Sequence, residues 1–149
     1  MAQVARPDVG ELELRIEASP ETVFEFFIDP EKMTRWKGSS AELDPRPGGL
    51  YRVGGIGGGA VAVGEYVELE PPHRVVFTWG WEGDEEVPPG SSTVEITLTP
   101  DGDATLLRLV HRDLPAGQGA KHVEGWQHFV PRLALAAAGK DPGVDPGME

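Results

Sequence analysis

The sequence predicts an α+β domain in which a curved antiparallel sheet carries two short helices after its first strand and is crossed by a long C-terminal helix. Three observations predict it. Residues 11–17 alternate polar and apolar with period two, as a strand with one buried face does. From Ser39 to Arg112 the same alternation recurs, broken by turn residues at hairpin intervals, which describes a meander. Beyond Leu114 the apolar period becomes helical and stays so for several turns.

Taken in order, residues 11–17 form the first strand. Ser19-Pro20-Glu21-Thr22 then reads as an N-cap serine, a proline at the first helical position and a polar first turn. Val23, Phe24, Phe27 and Ile28 give that helix its apolar face, and Asp29-Pro30 stops it and opens a second short helix over residues 31–36. Strands are expected at 41–44, 50–53, 60–70, 73–81, 93–99 and 105–112, the last two as a hairpin around Pro100-Asp101-Gly102-Asp103. Val123, Trp126, Phe129, Val130, Leu133 and Ala137 form one stripe on the final helix, within which Pro131 should introduce a kink or a break. Residues 1–10 read as an N-terminal extension, 11–139 as the domain and 140–149 as a flexible tail.

Composition narrows the functional classes. A chain of 149 residues fits one domain with a sizeable core. It has no cysteine, which removes disulfides, thiolate catalysis and thiolate metal sites, and fits a reducing compartment. The formal net charge of -12 is spread along the chain, so a basic face for nucleic acid is absent. No apolar run approaches the roughly 18 residues of a membrane span, and residues 1–7 lack a signal-peptide core, so the expected location is the cytoplasm.

Several motifs stand in a fixed order. They are Ala18-Ser19-Pro20-Glu21-Thr22-Val23-Phe24, Trp36, Gly48-Gly49-Leu50-Tyr51-Arg52-Val53, the stretch from Gly64 to Trp79 with Pro71-Pro72-His73 inside it, Thr105 to His111, and Gly125-Trp126. With the element order, this pattern resembles the START/Bet v 1-like (SRPBCC) superfamily and, within it, the AHSA1-like family named after the activator of the Hsp90 ATPase. The resemblance spans residues 12–138. It implies the helix-grip fold, a bent sheet closing on the C-terminal helix with a cavity between them. The superfold hosts carriers, receptors, cyclases and chaperone cofactors, so it does not by itself select a function.

Strand parity selects the candidate site. Val75, Phe77, Trp79 and Trp81 share one face, as do Thr105, Leu107, Leu109 and His111, and both sets should point inward. Tyr51, Phe77, Trp79, Trp81, His111, Trp126 and Phe129 are therefore the expected ligand-binding residues, unless they simply fill the core. His111 would orient a ligand or act in acid-base chemistry; alternatively it is a core histidine bonded to backbone or water. Glu65 is a second acid-base candidate, since it shares parity with Val63 and Val67, unless a bulge turns it outward.

Other chemistries lack support. Gly54-Gly55-Ile56-Gly57-Gly58-Gly59 satisfies a loose G-x-G-x-x-A pattern with Ala60, but a strand follows where a helix must, so it reads as a hairpin tip near the pocket mouth. His73, His111, His122 and His128 include no pair at i, i+4, so no metal site is expected, and no cofactor motif is present. No serine sits in a G-x-S-x-G elbow. The leading expectation is a binding protein for a small apolar or amphipathic molecule. A cyclase or dehydratase using the pocket histidine, and a protein-interaction module of the Hsp90-activator type, are the alternatives. A homodimer through the sheet or hairpin tips is compatible with the sequence, which does not demand one.

Overall fold

The computed structural model describes residues 8–143. Its sheet contains β1 (Asp8–Ile16), β2 (Ser40–Leu43), β3 (Leu50–Ile56), β4 (Ala60–Glu70), β5 (Arg74–Trp79), β6 (Ser92–Asp101) and β7 (Ala104–Leu114). These seven strands lie in the order β1-β7-β6-β5-β4-β3-β2, every neighbouring pair antiparallel. From β2 to β7 the path is a simple meander, and β1 joins the free side of β7. The helices are α1 (Pro20–Glu25), α2 (Pro30–Met33) and α3 (Gln118–Ala137). This is the α+β helix-grip arrangement expected from the sequence.

The first strand begins at Asp8, inside the segment expected to be an extension, because β7 runs on to Leu114 and offers backbone partners there. The remainder of that extension, 1–7, and the end of the expected tail, 144–149, lie outside the described residues. The start of the tail is held: the Arg132 guanidinium donates to the carbonyls of Pro142 (3.2 Å) and Gly143 (2.8 Å).

Local capping explains the helices after β1. Ser19 Oγ accepts from the Thr22 N–H at 3.2 Å, and Pro20 opens α1 with its φ already helical. Asp29 Oδ1 accepts from the N–H groups of Glu31 (2.9 Å) and Lys32 (3.2 Å) at the start of α2. That helix ends at Met33, earlier than the sequence suggests, and residues 34–36 turn back toward α1. There the Trp36 indole N–H donates to the Phe26 carbonyl at 3.2 Å, and its ring meets Phe27 edge-on. Lys37 is thereby carried to the inner face of the sheet.

The concave face matches strand parity. Val75, Phe77 and Trp79 on β5, and Thr105, Leu107, Leu109 and His111 on β7, are all buried. Trp126, Phe129, Val130, Leu133 and Ala137 of α3 cover them. The helix passes through Pro131 unbroken, and that residue is exposed. Close contact between helix and sheet requires glycine at one point. A Cβ on Gly10 of β1 would stand 2.3 Å from Val123 Cγ2 and 2.8 Å from the Gly119 carbonyl oxygen.

Candidate functional site

Between the sheet and α3 lies a cavity of about 240 Å³. Trp79 closes β5, Trp81 follows it, and Ile56 closes β3, so the ends of two strands supply one wall. His122, Trp126 and Phe129, spaced four and three residues apart on one face of α3, supply the other, with Lys121 and Gly125 beside them. Lys37 reaches the cavity from the turn after α2.

Lys37 is the unusual member. Lysine is rarely buried without a partner, yet this one is 2% exposed and its Nζ has no hydrogen-bond partner. The nitrogen lies 3.7 Å from the Trp79 ring centroid and 3.9 Å from that of Trp126. Each indole face would stabilise an ammonium by about 2 kcal/mol when desolvated. Against this, removing the charge from water costs several kcal/mol, and no carboxylate or carbonyl accepts its three protons. Burial wins, and pushes the amine well below the usual lysine range. Two further buried polar atoms lack partners, Trp79 Nε1 of the cavity lining and Tyr51 Oη of the layer behind it. The Tyr51 ring stacks on Phe77 and lies 6.1 Å from Trp79.

His111 is, by contrast, fully engaged. Trp126 Nε1–H donates to its Nδ1 at 3.0 Å, and its Nε2 meets Ser92 Oγ at 2.8 Å. Ser92 Oγ donates its own proton to the Trp79 carbonyl at 2.7 Å, so it must accept from His111 Nε2–H. The chain Trp126, His111, Ser92, Trp79 ties α3 to β7, β6 and β5 and fixes the neutral Nε2–H tautomer. Burial, with smaller contributions from His122 and Lys37, pushes the ring down from 6.5 to about 2. Neither ring nitrogen is left to take a proton from a ligand.

His122 is bound in the same way at the cavity mouth. Its Nδ1 pairs with the Gln118 carbonyl at 2.8 Å and its Nε2 accepts from Trp81 Nε1–H at 3.1 Å. Burial lowers its pKa as well. Gln118 Nε2 donates to Glu86 at 2.7 Å, so the acidic loop after Trp81 is fastened to the first turn of α3. No cluster of three or more His, Asp or Glu among the described residues is arranged to hold a metal ion.

The family described as Activator of Hsp90 ATPase homolog 1-like protein matches residues 17–138. The chain belongs to this family. AHSA1-like proteins are part of the START/Bet v 1-like superfamily, in keeping with the grip of sheet on helix. An AHSA1-like protein from Rhizobium etli, solved by NMR, is 47% identical, with 98% of this chain and 92% of that one covered at a TM-score of 0.75. A crystal structure of a protein from the dynemicin biosynthetic locus is 29% identical, covering 93% of this chain and 50% of that one at a TM-score of 0.77. An uncharacterised protein of Schizosaccharomyces pombe is 29% identical over 124 residues, 78% of this chain and 33% of its own length. The chain thus spans about a third of the curated relative it matches.

Within this AHSA1-like fold the expected site residues separate into two layers. Trp79, Trp81, Trp126 and Phe129 line the cavity. Tyr51, Phe77 and His111 lie behind them, fully buried. Glu65 stands exposed on the outer face of β4, because the inward set there is Ala62 and Tyr66, the other parity. Its backbone N–H donates to Thr78 Oγ1 at 2.9 Å, and its carboxylate is remote from the cavity lining. Lys37, Lys121, His122 and Gly125 were not expected there, whereas Ile56 belongs to the hairpin tip expected near the pocket mouth. For His122 a signal existed, since it shares the helical face of Trp126 and Phe129; for Lys37, in an irregular turn, periodicity offers none.

Proposed function

We propose that the protein binds a small, uncharged, largely aromatic molecule carrying one oxygen function in the cavity between sheet and α3. The observation that carries this reading is the pairing of tryptophan walls with two buried polar atoms of the lining residues that lack partners, Lys37 Nζ and Trp79 Nε1. Groups of this kind are expensive to bury alone, and a ligand oxygen would satisfy one or more of them. Size supports the reading too: a cavity of roughly 150 Å³ accommodates benzene, so about 240 Å³ suits one ring with a short substituent or a small bicycle.

The test is titration of the purified protein with monocyclic and bicyclic alcohols, ketones and acids, read by tryptophan fluorescence and native mass spectrometry. Saturable binding of neutral ligands, weakened by Trp126→Ala, is expected. A cavity that takes none of them would overturn the reading. A cyclase or dehydratase with His111 as the base is disfavoured, because both of its ring nitrogens are occupied. Chaperone partnership rests on the family description alone; co-purification with Hsp90 and a change in its ATPase rate would be needed to support it.

A further inference from the structure

We propose that Lys37 is a reactive amine that captures an aldehyde or ketone in the cavity as a Schiff base. The inference rests on the ligand-binding reading and specifies its oxygen function as a carbonyl. Lys37 combines features that an amine nucleophile requires: it lines the cavity, it is sealed from solvent, and no acceptor engages its Nζ. The other three lysines are placed differently. Lys32 forms an ion pair with Glu25, and Lys121 and Lys140 are exposed.

The surroundings select against an anionic ligand held by a charged lysine. The formal charge of the chain is -12, and the loop Glu82-Gly83-Asp84-Glu85-Glu86 borders Trp81 on the outer side of the mouth. Such a field discourages carboxylates and is indifferent to a neutral carbonyl. Burial also leaves the amine with an available lone pair.

The step balances without any further reagent. Nζ swings off the indole faces into the cavity and its lone pair forms a bond to the carbonyl carbon. The C=O π pair moves to oxygen, which takes a proton from the nitrogen to give a carbinolamine. Loss of that hydroxyl with the second nitrogen proton releases one water and leaves C=N. Trp79 and Trp126, which flank the amine, then flank the linkage and stabilise it whenever it is protonated.

The experiment uses the full chain with benzaldehyde as probe at neutral pH, reduction by sodium cyanoborohydride, and peptide mapping by mass spectrometry. Benzyl alcohol serves as the probe that occupies the cavity without reacting. A single N-benzyl group at Lys37 is expected, formed at least about tenfold faster than at Lys121 or Lys140, since each unit of pKa lowering raises the neutral fraction tenfold. Lys37→Met should lose the adduct, and occupancy of the cavity by benzyl alcohol is read in the parent protein. Binding of benzyl alcohol with label absent, or spread over the exposed lysines, overturns the Schiff base and leaves the ligand reading standing. Tight binding of benzoate that disappears in Lys37→Met also overturns it, because the amine then acts as a cation. If neither probe engages the cavity, both proposals fall.

Discussion

Replacing Lys37 by methionine should stabilise the protein, which is unusual for a fully buried side chain. Methionine keeps the length and most of the volume, and its thioether suits a space between two indoles. What it removes is a buried polar group without a partner, worth about 1–3 kcal/mol. At neutral pH the variant should therefore be more stable by at least that amount, or by about 2–4 °C in Tm per kcal/mol for a chain of this length. The pH dependence gives a sharper test. In the unfolded chain Lys37 titrates near 10.4, whereas in the folded protein burial holds it well below that. Above the unfolded value both states are neutral and the protonation penalty vanishes. As pH falls below it, the unfolded chain takes up a proton that the native state refuses. The lysine form then loses stability by up to about 1.4 kcal/mol per pH unit until the native-state value is reached. The gap between Lys37→Met and the parent should thus widen as pH is lowered from about 10.5 toward neutral. Urea unfolding of both proteins across that range measures it. A gap independent of pH, or a less stable variant throughout, would mean that the amine is charged and held by the faces of Trp79 and Trp126, and would refute the reasoning.

Three other outcomes follow from the same geometry. Ser92→Ala leaves His111 Nε2–H without its acceptor inside the core and should cost about 1–3 kcal/mol in urea unfolding. His111 is neutral in the fold with its pKa pushed to about 2, while the unfolded ring titrates near 6.5. Its stabilisation is complete above about 6.5 and declines on acidification by up to about 1.4 kcal/mol per unit, so urea midpoints that stay flat between about pH 6.5 and 5 would contradict this. Gly10→Ala places a methyl group against Val123 and the Gly119 carbonyl, and a loss of about 1–3 kcal/mol in thermal or urea unfolding is expected from the displaced helix.

The sequence was most informative where a period repeats. Alternation on β5 and β7 identified the inward residues correctly, because a strand facing a core cannot slip by one residue without exposing its whole apolar set. The same logic on β4 was ambiguous, since Ala62 and Gly64 are too small to mark an inward face against Val63 and Val67. Parity also does not report depth. Tyr51, Phe77 and His111 point inward as expected, yet the larger rings of Trp79 and Trp126 stand between them and the open space. Lys37 was illegible for another reason. It sits in a turn without periodicity, and its burial depends on Trp36 folding back onto the end of α1, a contact that no repeating pattern encodes.

The placement of α3 bears on how the protein is made. Both the outer wall of the cavity and the cover over Trp79 come from residues 118–137, and β1 waits for β7 before it has a partner. During synthesis the meander therefore emerges with its aromatic face bare and its first strand unpaired. Order arrives only when the last helix clears the ribosome. A chain stopped short of Gln118 would not be a smaller version of the same vessel; it would be a sticky half-shell, and aggregation rather than weaker binding is the fate its surface dictates.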